Sequence, residues 1–317
     1  MNKFEYQFCS CPVYNGSDQR HLFQDHNRRD KIDCSGIYVQ CQKCSLVYLR
    51  ERPNWEEIVR FYSALDSGIT ANAGRIDAAT LRKQIEQPIP KWKSLLRKVR
   101  FRPHSWPLES VPRRSKRLLD LGCGNGTKLY EFAERGYDIW GVDVGVDTIK
   151  VCQSLLPQGH FVQSELQNTN LPTDFFDYIR IDNALEHVPN PTEVVEKCHR
   201  LLRKRGQLLI YVPHDRSLSM RIMKGGSISS WIPFHLSLFT RNSLKWLMED
   251  AGFKDIHIYG YYPTSWLPLS FVQWKSKKQR ASGFDYPVWL NLLCSPLGLL
   301  ASKIGLAEEL VGTGIKS

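Results

Sequence analysis

The 317 residues contain no internal repeat and no low-complexity tract, so the chain is not read as a repeat array or a disordered linker protein. Long apolar runs are also scarce. The most apolar stretch, from Tyr286 to Leu300, is broken by Asn291, Ser295, Pro296 and Gly298, which argues against a transmembrane helix. The opening residues Met1-Asn2-Lys3-Phe4-Glu5-Tyr6 lack an apolar core behind a basic start. No signal peptide is therefore read, and the cytoplasm is the expected compartment. Acid is in short supply. Against 43 Lys and Arg stand 32 Asp and Glu, for a net charge of +11. That excess favours an anionic partner such as nucleic acid, a phosphorylated substrate or an anionic bilayer surface, without choosing among them. Hydrophobic residues make up 42% and charged residues 24%, with a mean hydropathy of −0.36, which suits a globular chain of about two domains.

What is present is unevenly placed. Of nine cysteines, Cys9, Cys11, Cys34, Cys41 and Cys44 crowd the first 44 residues, while Cys123, Cys152, Cys198 and Cys294 are scattered. In a reducing compartment disulfides are not expected, and such a cluster suggests a metal site or the vestige of one. Cys41-Gln42-Lys43-Cys44 has the two-residue spacing that lets two thiolates grip one ion, with Cys9-Ser10-Cys11 about thirty residues upstream. Four thiolates would close the coordination sphere and make the role structural.

Four segments follow along the chain. Residues 1–50 read as a small cysteine-rich β module ending in Ile37-Tyr38-Val39 and Leu46-Val47-Tyr48-Leu49. Residues 51–116 read as a helical linker with a charged surface, opening at Pro53 and Trp55 and carrying basic runs at 97–102 and 113–117. From Arg117 to residue 263, short apolar strands alternate with amphipathic segments, as a parallel sheet with crossover helices requires. Arg117–Asp120, Asp138–Asp143, His160–Gln163, Phe176–Ile181 and Gln207–Val212 are the expected parallel strands, and Phe253–Tyr259 a sixth. Residues 264–317 read as an amphipathic cap, in which only Glu309–Ile315 could supply a seventh, antiparallel strand. That strand is expected to be short or missing.

Within the α/β region, Leu118-Leu119-Asp120-Leu121-Gly122-Cys123-Gly124-Asn125-Gly126-Thr127 runs from a strand into a glycine-rich turn that opens a helix. Glycines let the backbone approach a ligand closely, and the helix N-terminus offers N–H groups to it. About twenty residues later Val142-Asp143-Val144 ends the next strand, where a carboxylate can take two ribose hydroxyls.

At these residues the sequence resembles the class I S-adenosylmethionine-dependent methyltransferases, whose motif Asp-x-Gly-x-Gly-x-Gly is complete as Asp120, Gly122, Gly124 and Gly126. The resemblance continues through Phe176–Ile179, Ala184–Pro191, Arg200–Ile210 and His235–Thr240 to Ala251-Gly252-Phe253. It implies an α/β, Rossmann-like sheet with helices on both faces. S-adenosylmethionine would be held by Asp120, Gly122, Cys123, Gly124 and Gly126, with Asp143 and Val144 at the ribose, Glu165 near the adenine and Asn183 near the sulfonium. Methyl transfer is an in-line displacement on an activated carbon, so the protein's task is to align the nucleophile and remove its proton.

Three residues are candidates for that task. Glu186-His187 is either a helix-capping pair or a base or metal ligand facing the acceptor. The segment resembles ubiquinone-pathway O-methyltransferases, which carry a metal-binding Glu three residues earlier, where this chain has Asn183. His235 is either a second candidate base or a hydrogen-bonded loop histidine. The cysteine-rich end resembles methyltransferases of polysaccharide gene clusters, with Tyr14 standing where their second cysteine belongs. A zinc held by Cys9, Cys11, Cys41 and Cys44 is one expectation, and a metal-free remnant the other.

The C-terminal part combines Trp266–Trp274, the basic residues Lys275, Lys277, Lys278 and Arg280, and Tyr286–Leu300. It could lie on the inner membrane face or form a lid over the substrate. The expected acceptor is a sugar, glycan or lipid-linked intermediate, with O-methylation ahead of N or C. RNA is a less favoured acceptor, since the basic residues are dispersed and no RNA-binding module is recognisable. Another small molecule, or a non-catalytic protein that binds the cofactor, are the remaining alternatives.

Overall fold

The computed structural model describes residues 5–27, 34–59, 77–87, 116–275 and 286–317. The N-terminal strands are β1 (Tyr6–Phe8), β2 (Gln19–His26), β3 (Ser35–Cys41), β4 (Val47–Leu49) and β5 (Glu51–Pro53). Residues 55–59 are helical, and helix α1 (Ala78–Glu86) is capped by Asp77, whose carboxylate accepts from Thr80 N at 2.7 Å. Most of the expected linker, including the basic residues at 97–102 and 113–115, lies outside the described residues.

The α/β region then runs β6 (Arg117–Leu121), α2 (Thr127–Glu134), β7 (Asp138–Asp143), α3 (Val146–Leu155), β8 (His160–Gln163), β9 (Phe176–Asp182), α4 (Pro191–Leu201) and β10 (Leu202–Pro213). It continues with α5 (Leu218–Met223), β11 (Ser237–Leu238), α6 (Arg241–Asp250), β12 (Lys254–Tyr261), α7 (Trp266–Lys275), α8 (Val288–Lys303) and β13 (Glu309–Ile315). Seven strands form one sheet in the order β12-β13-β10-β9-β6-β7-β8, parallel except for β13. Leu118, Leu119, Leu121, Ile179, Ile181, Leu208, Ile210 and Val212 are buried, the near-continuous apolar pattern of strands covered on both faces. Strand order reverses at β6, which has β7 on one side and β9 on the other. In an open α/β sheet the crevice outside the carboxyl ends at such a reversal is where ligands bind.

The seventh strand is neither short nor missing. β13 pairs antiparallel with β10 over all seven residues and lies between β10 and β12, so residues 309–315 of the expected cap belong to the sheet. Its glycines, which weaken a strand taken alone, allow helix α6 to approach closely here. A Cβ on Gly312 would sit 3.0 Å from Met248 Sδ, and one on Gly314 would sit 3.0 Å from Met248 Cε.

The cysteine-rich module is not freestanding. Its four-stranded sheet has the order β11-β4-β3-β2, and β11 is supplied from 237–238, pairing Ser237 with Tyr48 and Leu238 with Val47. Tyr38, Val47 and Leu49 are buried together with Ile232, Phe234, Leu236 and Leu238 in one cluster. Each fully buried side chain of that size contributes about 1.5–3 kcal/mol, so detaching the module would expose several such contributions at once.

Candidate functional site

The glycine turn is held in shape from three sides. Gly122, Gly124 and Gly126 all take positive φ (79°, 53° and 75°), the left-handed region that side chains with a Cβ disfavour. Gly122 and Cys123 donate their N–H groups to Val142 O at 2.8 and 3.0 Å, and the Cys152 thiol donates to Gly124 O at 2.9 Å from below. Asp143 accepts from Gly124 N and Gly145 N, both at 2.9 Å, tying the turn to the end of β7. A Cβ placed on Gly122 would lie 2.4 Å from Ala184 Cβ, whereas one on Gly124 would meet nothing within 4 Å. The turn is thus pressed against the segment after β9 and open at Gly124. Cys123 turns its thiol into the core against Gly141, so it is the backbone of this residue that shapes the turn. Val144 offers its carbonyl to Gln163 Nε2 at 3.1 Å.

Beneath the turn lies a charged network that sequence reading missed. Asp120 is 2% exposed and accepts from Arg180 Nη1 at 2.8 Å, and Arg180 also pairs with Asp182. Lys128, from α2, reaches Asp182 Oδ2 at 2.5 Å. Asn183 turns the chain at φ 53° and donates Nδ2 to Asp182 and to Glu309, each at 2.8 Å. Glu309 comes from β13, and burial raises its carboxyl above the usual range. A signal for Arg180 existed in the sequence: two charges, Arg180 and Asp182, share one face of a strand that also carries Phe176, Ile179 and Ile181, and parallel strands bury charge only when it is paired.

Past Asn183, a single 3-10 turn at Leu185–His187 carries the next two candidates, and α4 follows with Asn190 as its cap and Pro191 at its first position. Glu186 is 1% exposed, and neither of its oxygens has a hydrogen-bond partner among the described residues. Burial pushes its pKa up to about 8. The loop bearing His235 is fastened beside it, since Leu236 N donates to Glu186 O at 2.8 Å and Tyr38 OH donates to His235 O at 2.8 Å. The two imidazole centroids are 4.7 Å apart. His187 Nδ1 is 3.0 Å from Phe234 O and His235 Nδ1 is 2.7 Å from Ser229 O. A carbonyl can only accept, so each Nδ1 carries a proton, which leaves Nε2 as the nitrogen able to take one. Glu186, His187 and His235 bring one ligand atom each within 4.8 Å of the others. Such a carboxylate and two imidazoles can act as a proton acceptor or as three ligands to a divalent cation with open positions.

S-adenosylmethionine fits this ground chemically. The crevice offers an open glycine turn, a carboxylate at the end of the second strand, and orphaned acceptors on Asp120 Oδ1, Asn183 Oδ1 and Glu186 that suit a ligand carrying two cationic groups. Glu165 lies two residues past the end of β8. Its oxygens accept from Trp55 Nε1 at 2.9 Å, Gln167 Nε2 at 2.8 Å and Asn168 Nδ2 at 2.7 Å, so the carboxylate pins the N-terminal segment to the end of β8.

In the N-terminal module the thiols of Cys11, Cys41 and Cys44 lie within 4.8 Å of one another, with Cys11 and Cys44 at 3.4 Å. Cys9 stands apart from this group. Its thiol donates to Leu49 O at 3.0 Å. The geometry therefore brings three of the four expected ligands together, enough to grip a soft cation with a fourth position filled by another donor or by rotation of Cys9.

The family described as "Methyltransferase domain" matches residues 93–258, just over half of the chain. A "Ubiquinone biosynthesis O-methyltransferase" of Psychrobacter cryohalolentis is 34% identical over 103 residues, covering 29% of this chain and 38% of that protein. The protein so named in Pseudomonas aeruginosa is 32% identical over 112 residues, covering 33% and 48%. The chain spans less than half the length of either relative. Among solved structures, a SAM-dependent methyltransferase from Archaeoglobus fulgidus aligns at 22% identity over 64% of this chain and 86% of its own, with a TM-score of 0.44. One from Mesorhizobium loti aligns at 17% identity over 66% and 96%, with a TM-score of 0.47. With its glycine turn, its strand order and a family match across the region that holds both, the chain belongs to the methyltransferase-domain family.

Proposed function

We propose that the protein transfers a methyl group from S-adenosylmethionine to an oxygen of a sugar, glycan or lipid-linked acceptor. The observation that carries this reading is adjacency. Gly122, in the turn that would hold the cofactor, packs against Ala184, two residues before Glu186 and three before His187. When bound, the cofactor supplies a methyl carbon activated by a sulfonium. The residues of the chain do the rest: Asp143 and the glycine turn position the donor, and His187 or His235 accepts the acceptor's hydroxyl proton at Nε2 as the new bond forms. Transfer to oxygen is favoured by the O-methyltransferase name of the relatives and by these two basic nitrogens. The carbohydrate acceptor rests on the likeness of the cysteine-rich end to polysaccharide-cluster enzymes.

Two measurements test this. Calorimetry with S-adenosylmethionine is expected to give one site. Incubation with labelled cofactor and a panel of nucleotide sugars, lipid-linked sugars and tRNA is expected to label a carbohydrate fraction. Labelling of tRNA alone would replace the acceptor class, and binding without turnover on any acceptor would make this a non-catalytic cofactor-binding protein.

We also propose a structural zinc in the N-terminal module. Protein purified without added zinc is expected to carry about one equivalent, lost in Cys41→Ser, as read by elemental analysis. Because β4 pairs with β11, two residues from His235, loss of the metal is expected to lower turnover as well as the melting temperature. Metal-free protein of equal stability and activity would show the knuckle to be a remnant.

A further inference from the structure

Helix α8 leaves much of its apolar surface uncovered, although Cys294 and Leu299 pack against Met223, Tyr262 and Leu267. Toward the protein it turns Leu290, Asn291, Ser295, Gly298 and Ala301, and Gly298 lies so close to the Tyr262 ring that an added Cβ would come within 2.1 Å of it. Toward solvent it turns Trp289 (58% exposed), Leu292 (55%), Leu293 (62%), Leu297 (57%) and Leu300 (59%), and Ile304 (66%) follows at its end. Positions 289, 293, 297, 300 and 304 fall on one helical face. A helix at a water boundary carries polar residues on its outer face, which this one lacks from Trp289 to Leu300. The apolar surface extends onto Phe271 and Trp274 of α7, which packs on both α8 and α5, and Ile222 of α5 is 59% exposed. Exposed apolar side chains gathered on helices that pack together mark an interaction site.

The charges around it say what kind. Lys275 of α7 and Lys303 of α8 are exposed, as is Lys224 directly after α5, and Lys275 lies over the Trp274 ring at 4.9 Å. From Tyr262 to Ala307 the sequence holds five basic residues and one acid, Asp285. Lys277, Lys278, Arg280 and Asp285 lie outside the described residues. A second copy of the chain docking through this face by two-fold symmetry would set one basic rim against another, which is unfavourable. A polyanionic apolar medium has no such conflict. No helix among the described residues is long and apolar enough to cross a membrane, and α8, at sixteen residues, would reach about 24 Å.

We propose that the exposed face of α8, with the neighbouring part of α7, lies in the headgroup region of an anionic phospholipid leaflet, parallel to its plane. The leucines and Ile304 enter the acyl boundary, Trp274 and Trp289 sit at headgroup depth, and the lysines reach the phosphates. The face is linked to the candidate site. Gln273 Nε2 of α7 donates to Ser227 O at 3.2 Å, and Ser270 Oγ accepts from Ile228 N at 3.2 Å, so α7 braces the loop that carries His235. The proposal does not depend on which acceptor is methylated.

Flotation of the full chain with vesicles tests it. The protein is expected to float with phosphatidylcholine vesicles containing phosphatidylglycerol, far less with phosphatidylcholine alone, and less as salt rises. Leu293→Glu with Leu297→Glu is expected to cut binding at least tenfold, and the uncharged pair Leu297→Ser with Leu300→Ser to act in the same direction. Lys275→Gln and Lys303→Gln are each expected to weaken binding about fivefold at low salt, the equivalent of about 1 kcal/mol per basic residue at an anionic surface. Since the altered side chains face solvent, the melting temperature and cofactor affinity are expected to be unchanged. Failure to float at low ionic strength, or equal flotation of the leucine variants, would overturn the proposal. A dimer in sedimentation equilibrium that Leu293→Glu dissolves, with no vesicle binding, would reassign the face to a second copy.

Discussion

Gly122→Val is expected to abolish S-adenosylmethionine binding, with affinity falling by about a hundredfold or more in calorimetry. Two independent costs meet at this position. Backbone φ is +79°, where a β-branched residue is strained by about 1–3 kcal/mol. The new Cβ would also start 2.4 Å from Ala184 Cβ, far inside contact distance, so either the turn or the Asn183–His187 segment must move. Either movement disturbs the proposed cofactor cradle, because Gly122 and Cys123 hang from Val142 O and Gly124 from Asp143. A control separates strain from site geometry. Gly305 has φ +84° and an added Cβ there meets nothing within 4 Å, so Gly305→Ala is expected to lower stability by about 1 kcal/mol with affinity intact. Asp143→Ala is expected to resemble Gly122→Val in affinity. Unchanged binding in both site variants would place the cofactor elsewhere.

Once an acceptor is in hand, His187→Ala is expected to lower turnover by about two to four orders of magnitude while sparing cofactor affinity, the range for loss of a general base. His235→Ala serves as the comparison, since only the imidazole that takes the proton should show the full loss. Glu186→Gln is expected to reduce activity and yet raise stability at alkaline pH. Its folded carboxyl keeps a proton up to about pH 8, whereas the unfolded group releases it near 4.5. Across that window the native state binds more protons than the unfolded state, so this group makes stability fall as pH rises from about 4.5 to 8. Glutamine has the same shape and no charge to bury. Thermal melts of the variant are expected to lose that component of pH dependence and to gain about 1 kcal/mol or more at pH 8, with the largest gain at the alkaline end. A variant no more stable than the parent at pH 8 would mean that Glu186 finds a partner in the native protein.

The strands and the glycine turn were legible because their signals are local. The strand bounds at Asp138–Asp143 and His160–Gln163 coincide with the expected ones, since turn residues bracket each short run with apolar or aromatic residues at its centre. The turn needed only residues 120–126 and the acid that ends the next strand. β13 was legible only as a candidate segment: Gly312 and Gly314 weaken Glu309–Ile315 when read alone, and their value shows only in the close approach of Met248 and Phe253. Glu309 was hidden with it, although its carboxylate meets Asn183 across 126 residues.

What the sequence by itself determined is the α/β architecture, the cofactor turn, and the candidacy of Glu186, His187, His235 and the clustered thiols, because each rests on residue type and short spacing. Tertiary structure alone decided which of these meet. His187 and His235 are 48 residues apart in sequence and 4.7 Å apart as rings, joined because the Leu236 N–H reaches Glu186 O and the module's Tyr38 holds His235 O. Cys9 is separated from Cys11, Cys41 and Cys44 by a bond to Leu49 O, and Glu165 is taken up by Trp55, contacts that no spacing rule encodes. The exposed face of α8 also belongs to the fold, since the sequence left a membrane-facing segment and a lid both open until packing committed one side of the helix to Tyr262 and left Trp289 and its leucines outward. Local pattern sets the elements. Long-range packing sets which side chains share a site and which are left facing outward, since both depend on contacts between residues far apart in the chain.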